Sequence, residues 1–402
     1  MIKLAKKLWP INRSLTGEGV RKTLKLIKKE NRNLKIKSIK SGTKIFDWKI
    51  PSEWKINNAW IKFKNKKIID FKENNLHVVG YSKSVNKVIN YKDLVKKLHS
   101  LPNQKNAIPY VTSYYKRDWG FCCTENFKKK LDKKGKYKVF IDSNFKKAGK
   151  LNYGEIYFPG KQNEEILFVT NICHPSLANN ELSGICLLSE ISKYLKKLKK
   201  NFSYRILFIP ETIGAIAFIK QNFDHLKKNT LAGFITVCVG DKGNFSYIPS
   251  RYGNNLADKS IKSVLKKNNI KYKKYSWLDR GSDERQFASP YIDLPIASLT
   301  RTKYGEYKEY HTSLDKLGTV VTEKNLLKSF KVYKKIIDYF EKRKFPKTKF
   351  YGEPMLSKRK LYNNLSIKND YNKKKYKVSN DILNFLSYSD GQNSLNEIEK
   401  LI

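Results

Sequence analysis

The chain has 402 residues, 40% of them apolar, which is enough to bury a core and to build two or three domains. No apolar run approaches the 18 or so residues of a membrane span, and the charged N-terminus lacks the apolar stretch of a signal peptide, so a cytoplasmic location is expected. The net charge of +47 reads first as a compositional bias towards Lys, Asn, Ile and Tyr, with a polyanionic partner left open.

The five cysteines (Cys122, Cys123, Cys173, Cys186, Cys238) show no CxxC spacing. That excludes a disulfide framework and a cysteine zinc knuckle, and small buried hydrophobes are expected instead.

Along the chain, Val20, Leu24 and Ile27 fall at helical spacing within 14–29, with Ser14 or Thr16 as the expected cap. Residues 44–125 are rich in β-branched and aromatic residues and read as a small β-rich domain. Its aromatics are expected in a core, with a glycan-stacking surface as the alternative. From 137 onward apolar strands (137–141, 166–173, 205–209, 234–239, 296–299) alternate with helices (181–198, 212–222, 256–267, 323–340). Such alternation predicts an α/β fold with a doubly wound, mostly parallel sheet between helices.

A basic linker is expected at 343–380. Beyond it Ser379 or Asn380 would cap one short helix, and Ser394 with Glu397 forms a capping box for another. Two such helices at 381–402 are part of a winged helix, ending at Ile402 before a third helix or wing. A helical hairpin fits equally well. The expected divisions are therefore 1–43, 44–125, 126–342, 343–380 and 381–402.

In an open α/β sheet, ligands bind beyond the carboxyl ends of the strands. The predicted strands deliver His174, Glu211 and Asp241 there, and the last leads on to His311. A lone His at a strand end is more often structural. Two imidazoles and two carboxylates on one rim suit zinc, which lowers the pKa of water for a nearby carboxylate to deprotonate.

The run His174-Pro-Ser-Leu-Ala-Asn-Asn-Glu-Leu-Ser-Gly184 resembles the metal-binding segment of co-catalytic zinc aminopeptidases. Pro210-Glu-Thr-Ile-Gly214, Ser282-Asp-Glu-Arg-Gln-Phe287 and His311-Thr-Ser-Leu-Asp315 resemble three further motifs of that group, in its order. A closer resemblance is to a bacterial aminopeptidase-like family linked to polysaccharide biosynthesis. It rests on Arg13-Ser-Leu-Thr-Gly-Glu-Gly19, Phe46-Asp-Trp-Lys-Ile-Pro51, Leu76-His-Val-Val-Gly-Tyr81 and Ile108-Pro-Tyr-Val-Thr-Ser-Tyr-Tyr115.

The resemblance implies a zinc-aminopeptidase-like domain with an inserted β-rich domain and a winged-helix-like C-terminal piece. It implies His174, Asp241 and His311 as metal ligands and Glu211 as general base or a further ligand. Arg251 and Arg280 would hold a substrate carboxylate, and Asp283 would position a loop or a ligand His near the substrate. Two positions depart from the wider group. Asn180 stands where a bridging Asp is expected, and Thr212 where a second acidic residue is expected. Glu181 supplies a carboxylate next door, but neighbours at a helix start point in different directions. One zinc ion, weakly held, or none is the expectation.

The leading functional reading is a metal-dependent amide hydrolase acting on a small peptide or an N-acylated sugar of surface-glycan assembly. The alternatives are a non-catalytic protein binding a glycan or peptide in the same cleft, and a nucleic-acid-binding regulator using the basic surface and C-terminal helices. A homo-oligomer is left open. No GxxxxGK[ST], GxGxxG or GxSxG motif occurs, which disfavours nucleotide binding and a serine hydrolase. His77, His99 and His225 are expected to be structural or surface residues.

Overall fold

The wholly apolar runs meet in one sheet. A computed structural model describes residues 1–361 and 373–402; residues 362–372 of the expected basic linker lie outside the described residues. Among the described residues, the main sheet has eight strands, in the order Lys35–Lys40, Lys150–Phe158, Ser203–Ile209, Glu165–Asn171, Thr230–Ile235, Ile296–Thr300, Phe245–Ile248 and Tyr272–Lys274. The third to sixth run parallel to one another. Lys35–Lys40, Lys150–Phe158 and Phe245–Ile248 pair antiparallel.

Glu165–Asn171 and Ser203–Ile209 are buried at every residue, as strands covered on both faces must be. On one face Leu167, Val169, Leu207, Ile209 and Ile235 share a core with Ile213–Ile219 of the helix Ile213–Asn229. On the other, Phe168 stacks on Tyr204 and Phe234 and meets Tyr333 of the helix Glu323–Glu341. All five cysteines are free and buried.

The segment expected as the strand 137–141 does not join this sheet. It lies in Lys136–Lys146, which pairs with Glu53–Phe63 and Val85–Asn90 in a four-stranded antiparallel sheet. The reason is its pattern. Tyr137, Val139 and Ile141 are buried, whereas the residues between them are exposed or half-buried. Alternation of this kind suits a sheet covered on one face, not a strand buried on both. The β-rich sheet therefore takes in residues beyond 125. Within that region Trp54, Tyr81 and Trp119 are core residues.

The helix Glu18–Glu30 buries Val20, Leu24 and Ile27 as expected. Neither Ser14 nor Thr16 caps it; Gly17 stands at its start. The Thr16 hydroxyl instead lies 2.6 Å from the Tyr81 hydroxyl and accepts the Trp54 N–H at 3.2 Å, tying the N-terminal segment to the β-rich region. That region also reaches the strand ends. Pro109 bridges Thr312, Tyr110 N–H donates to the His311 carbonyl at 2.8 Å, and Ser313 N–H donates to the Ile108 carbonyl at 2.9 Å.

Met1–Lys335 and Ile336–Ile402 are two compact units of the chain. Within the second unit a helix spans Lys373–Ser387 and a short one spans Leu395–Ile398. The first begins before the expected cap. Ser379 lies inside it, with its hydroxyl on the Leu361 carbonyl, and the Lys-rich run ahead of it favours helix. The Ser394–Glu397 capping box is present. No helix among the described residues is long and apolar enough to cross a membrane.

Gly184 sets how closely the helix Ser183–Lys197 approaches the sheet. A Cβ there would lie 2.1 Å from Thr170 Oγ1 and 2.3 Å from the Thr236 carbonyl oxygen. The carbonyl belongs to the backbone and cannot rotate aside. Gly184→Ala is expected to destabilise the chain by about 1–3 kcal/mol through overpacking, measured as a lower urea midpoint at unchanged slope.

Candidate functional site

The site is assembled from the ends of the parallel strands. Glu165–Asn171 leads to Cys173 and His174. A π-helical turn at Ala178–Leu182 follows before the helix Ser183–Lys197. Such turns shift side chains relative to a regular helix and recur at functional sites. Asp315 holds this turn, its carboxylate accepting Asn179 N–H at 2.8 Å and Asn180 N–H at 3.0 Å.

Glu211 follows the strand Ser203–Ile209. Thr212 behind it is left-handed at φ 62°, a costly conformation for a β-branched residue. Asp283 holds it there by accepting Thr212 N–H at 2.7 Å. His311 is also left-handed, at φ 52°.

His174 is the hub. Its backbone N–H and its Nδ1 each meet an oxygen of the buried Glu181 at 2.9 Å. Arg13, itself buried, donates to the His174 carbonyl at 2.9 Å and lies 3.9 Å from Glu181. Nδ1–H therefore points at a carboxylate, and Nε2 faces the other way, 3.6 Å from Glu211. Orientation by a carboxylate on the far nitrogen is how metal-ligating histidines are held. Burial works against a charge on His174, but Cys173 and Glu181 outweigh it and keep the proton affinity high.

The His311 ring lies 5.3 Å from that of His174, stacks on Tyr310 at 3.9 Å, and meets Tyr110 edge-on at 5.1 Å. Its buried Nε2 has no hydrogen-bond partner. Burial, then the neighbouring His174, push its pKa down to about 3, so it is a neutral imidazole with a free nitrogen. Glu211 accepts from Ser282 at 3.1 Å, and burial raises its pKa against the pull of His174. Asp283 is raised well above the usual carboxylate range by burial and by Glu211.

These groups fit one divalent ion. Two imidazoles on one tetrahedral zinc place their ring centres about 5 Å apart, close to the separation seen. The unpartnered His311 nitrogen and the Glu211 carboxylate are the further donors near His174. They do not fit two ions. Asn180 offers a neutral amide whose nitrogen is itself buried without a partner. Cys173, His174 and Glu181 also lie within 4.8 Å of one another. That pole carries Arg13 and has Nδ1 already bonded, so it is a poor place for a second cation.

Of the residues expected at the site, His174, Glu211 and His311 come together. Asp241 does not join them. Its carboxylate accepts from Asn179, Gly243 N–H, Thr302 N–H and the Thr302 hydroxyl at 2.6–3.1 Å, so its lone pairs are committed to these donors. Arg251 is ion-paired with Asp293 at 2.8 Å, and Arg280 lies over Trp277 on the surface. Thr212 accepts from Arg285 at 2.8 Å. His77 bonds the Cys122 carbonyl, and His225, itself exposed, joins the buried Glu165 and Arg205.

Arg13, Cys173, Ser282, Tyr110 and Tyr310 touch the histidine pair or Glu211, contacts that residue-by-residue reasoning missed. Arg13 and Tyr110 do lie in the motifs that carry the family resemblance, and that was their only signal.

The family model described as Domain of unknown function (DUF4910) matches residues 2–343, and a winged helix-turn-helix model matches 343–402. A Clostridium acetobutylicum protein, provisionally named for polysaccharide biosynthesis with an aminopeptidase-like domain, is 44% identical over 98% of this chain and 89% of its own length. The crystal structure of a provisionally assigned peptidase from the same organism superposes with a TM-score of 0.84 at 42% identity, covering 99% of this chain and 90% of that one.

A zinc aminopeptidase from Bacillus subtilis shares the fold at a TM-score of 0.62 and 12% identity, covering 84% and 93% of the two chains. An M28 peptidase precursor from Shewanella amazonensis does so at 0.59 and 11%, covering 88% and 94%. The chain thus has the aminopeptidase-like fold, and it belongs to the DUF4910 family of polysaccharide-biosynthesis-linked, aminopeptidase-like proteins that carry a C-terminal winged helix.

Proposed function

We propose that this chain hydrolyses an amide bond in a small peptide or an N-acylated sugar of surface-polysaccharide assembly, with one zinc ion. The observation that carries the reading is the facing pair His174 and His311, one nitrogen unpartnered, with Glu211 beside them. The fold shared with zinc aminopeptidases and the relative's name support the reaction class and the setting.

His174 and His311 would hold the ion through Nε2, with Glu211 at its edge. When bound, zinc lowers the pKa of water and polarises the amide carbonyl. Glu181 and Arg13 fix the ring of His174, so that its Nε2 is presented in one orientation. Glu211 takes the proton of the attacking water and returns it to the leaving amine. Its raised proton affinity brings it nearer to the range of a useful general base. Ser282 orients one of its oxygens. Asp283 holds the strained Thr212 that aims the Glu211 backbone.

The test is metal analysis of the purified chain together with turnover of a leucyl anilide and an N-acetylated sugar. About one zinc per chain is expected. Glu211→Gln, assayed with zinc in excess, should lose about 10²–10⁴-fold in turnover. Glu181→Gln should weaken zinc affinity by about 10–100-fold. A chain that takes up no zinc, even when supplied, and turns over neither substrate would sink the reading.

A second reading concerns the winged helix-turn-helix segment at 343–402. It carries 13 Lys and Arg against six Asp and Glu, so only +7 of the chain's +47 lies there. Duplex DNA binding by this segment should fall steeply with salt and vanish when residues 343–402 are removed. Binding that survives the deletion would belong to generic charge on the rest of the chain.

A further inference from the structure

Beside the histidine pair lies a cleft of about 480 Å³ with an uncommon lining. Its cations are Lys49, Lys116, Arg117 and Lys147, brought together from three separate stretches of chain. None of the four side chains forms a salt bridge among the described residues. No carboxylate lines the cleft. A chain this basic places lysines in any cleft, so the second fact is the informative one. Clefts of about 510 and 310 Å³ elsewhere each include a carboxylate, Glu73 or Glu18. Four unpaired cations around one space repel one another, and an anion placed between them relieves that repulsion.

The remaining walls are aromatic. Tyr115 is 67% exposed and is held edge-on by Trp48 at 5.7 Å. The Arg117 guanidinium lies over the Phe145 ring at 3.5 Å, a contact that favours holding its planar fork at the cleft. Tyr114 joins the cleft to the site. It lines the cleft, and its hydroxyl lies 2.7 Å from that of Tyr110, whose ring is 5.0 Å from His174 and 5.1 Å from His311.

We infer that this cleft is the subsite for an anionic sugar unit of the substrate. The sugar's carboxylate or phosphate would lie among Arg117, Lys147, Lys116 and Lys49, and its ring against Tyr115. The assignment of the cleft to the substrate rests on the amide-hydrolase reading; the binding itself requires neither zinc nor turnover. It selects the sugar-amide branch of that reading over the peptide branch.

The test is ligand-observed NMR titration of the full chain with glucuronic acid, glucose 1-phosphate, glucose and inorganic phosphate. At least one anionic sugar is expected to bind about tenfold more tightly than glucose. The double variant Arg117→Ala/Lys147→Ala should weaken that sugar by about tenfold, with an unchanged thermal melt showing that it folds. Tyr115→Ala should weaken the sugar and leave inorganic phosphate unaffected. Preference for glucuronic acid or for glucose 1-phosphate identifies the anionic group as carboxylate or phosphate.

The inference is overturned if glucose binds as well as the anionic sugars, if neither anionic sugar binds, or if the double variant binds as before. It is equally overturned if inorganic phosphate binds as tightly as the sugar phosphate. Binding without zinc or turnover would remove the hydrolase reading and keep the subsite. Zinc and turnover without sugar binding would do the reverse.

Discussion

A carboxylate with no access to water is tolerated only where donors surround it, and Glu181 is such a group. It has the His174 N–H, the His174 Nδ1–H and the nearby Arg13 guanidinium. These contacts fix three things at once. They set the tautomer and direction of His174, they anchor the π-helical turn at the start of the helix Ser183–Lys197, and they bind the N-terminal segment to the strand ends. Loss of one partner leaves a buried charge uncompensated, at a cost of about 3–5 kcal/mol. The geometry of the histidine pair therefore depends on a residue that need touch neither substrate nor ion.

The β-rich region takes part in the same arrangement. One stretch, 108–117, pairs with the His311 loop through backbone hydrogen bonds, lays Tyr110 against both imidazoles, and ends in Tyr115, Lys116 and Arg117 at the neighbouring cleft. The backbone pairing sets the register, so Tyr110 cannot move independently of His311. A domain that packs its own core at Tyr137, Val139 and Trp119 thus also forms a wall of the site.

What could be read in advance follows from how local each signal is. The parallel strands were legible because a strand covered on both faces must be apolar throughout, as at 166–169 and 206–209. Lys150–Phe158 was not recognised, because Asn152, Gly154 and Glu155 interrupt its apolar pattern. Yet Glu155 is buried there, paired with Lys37 and Arg205 from neighbouring strands. His174, Glu211 and His311 were legible as polar residues following strands. The position of Asp241 was legible, but its partners were not, since Asn179 and Thr302 reach it only after folding. The role of Glu181 was hidden for a similar reason. A regular helix start would send it away from His174, and the π-helical turn brings it back.

The distribution of charge supports the proposal of one ion, and not two, at this site. Two dications about 3.5 Å apart repel by roughly 20 kcal/mol even at an effective dielectric of about 20. A bridging carboxylate and further acidic ligands must offset that repulsion. Here Asn180 carries no charge, and Asp241 is saturated by Asn179, Gly243 and Thr302. Asp315 is bound to the N–H groups of the helix start, Glu181 is balanced by Arg13, and Asp283 is driven towards its neutral form. Glu211 alone keeps an uncommitted carboxylate oxygen towards His174. One carboxylate and two neutral imidazoles can hold a single dication, and no counter-charge remains for a second. Asn180, at the position where the resemblance implies a bridging Asp, is thus not the one feature against a second ion; the surrounding acids are already committed to holding the fold.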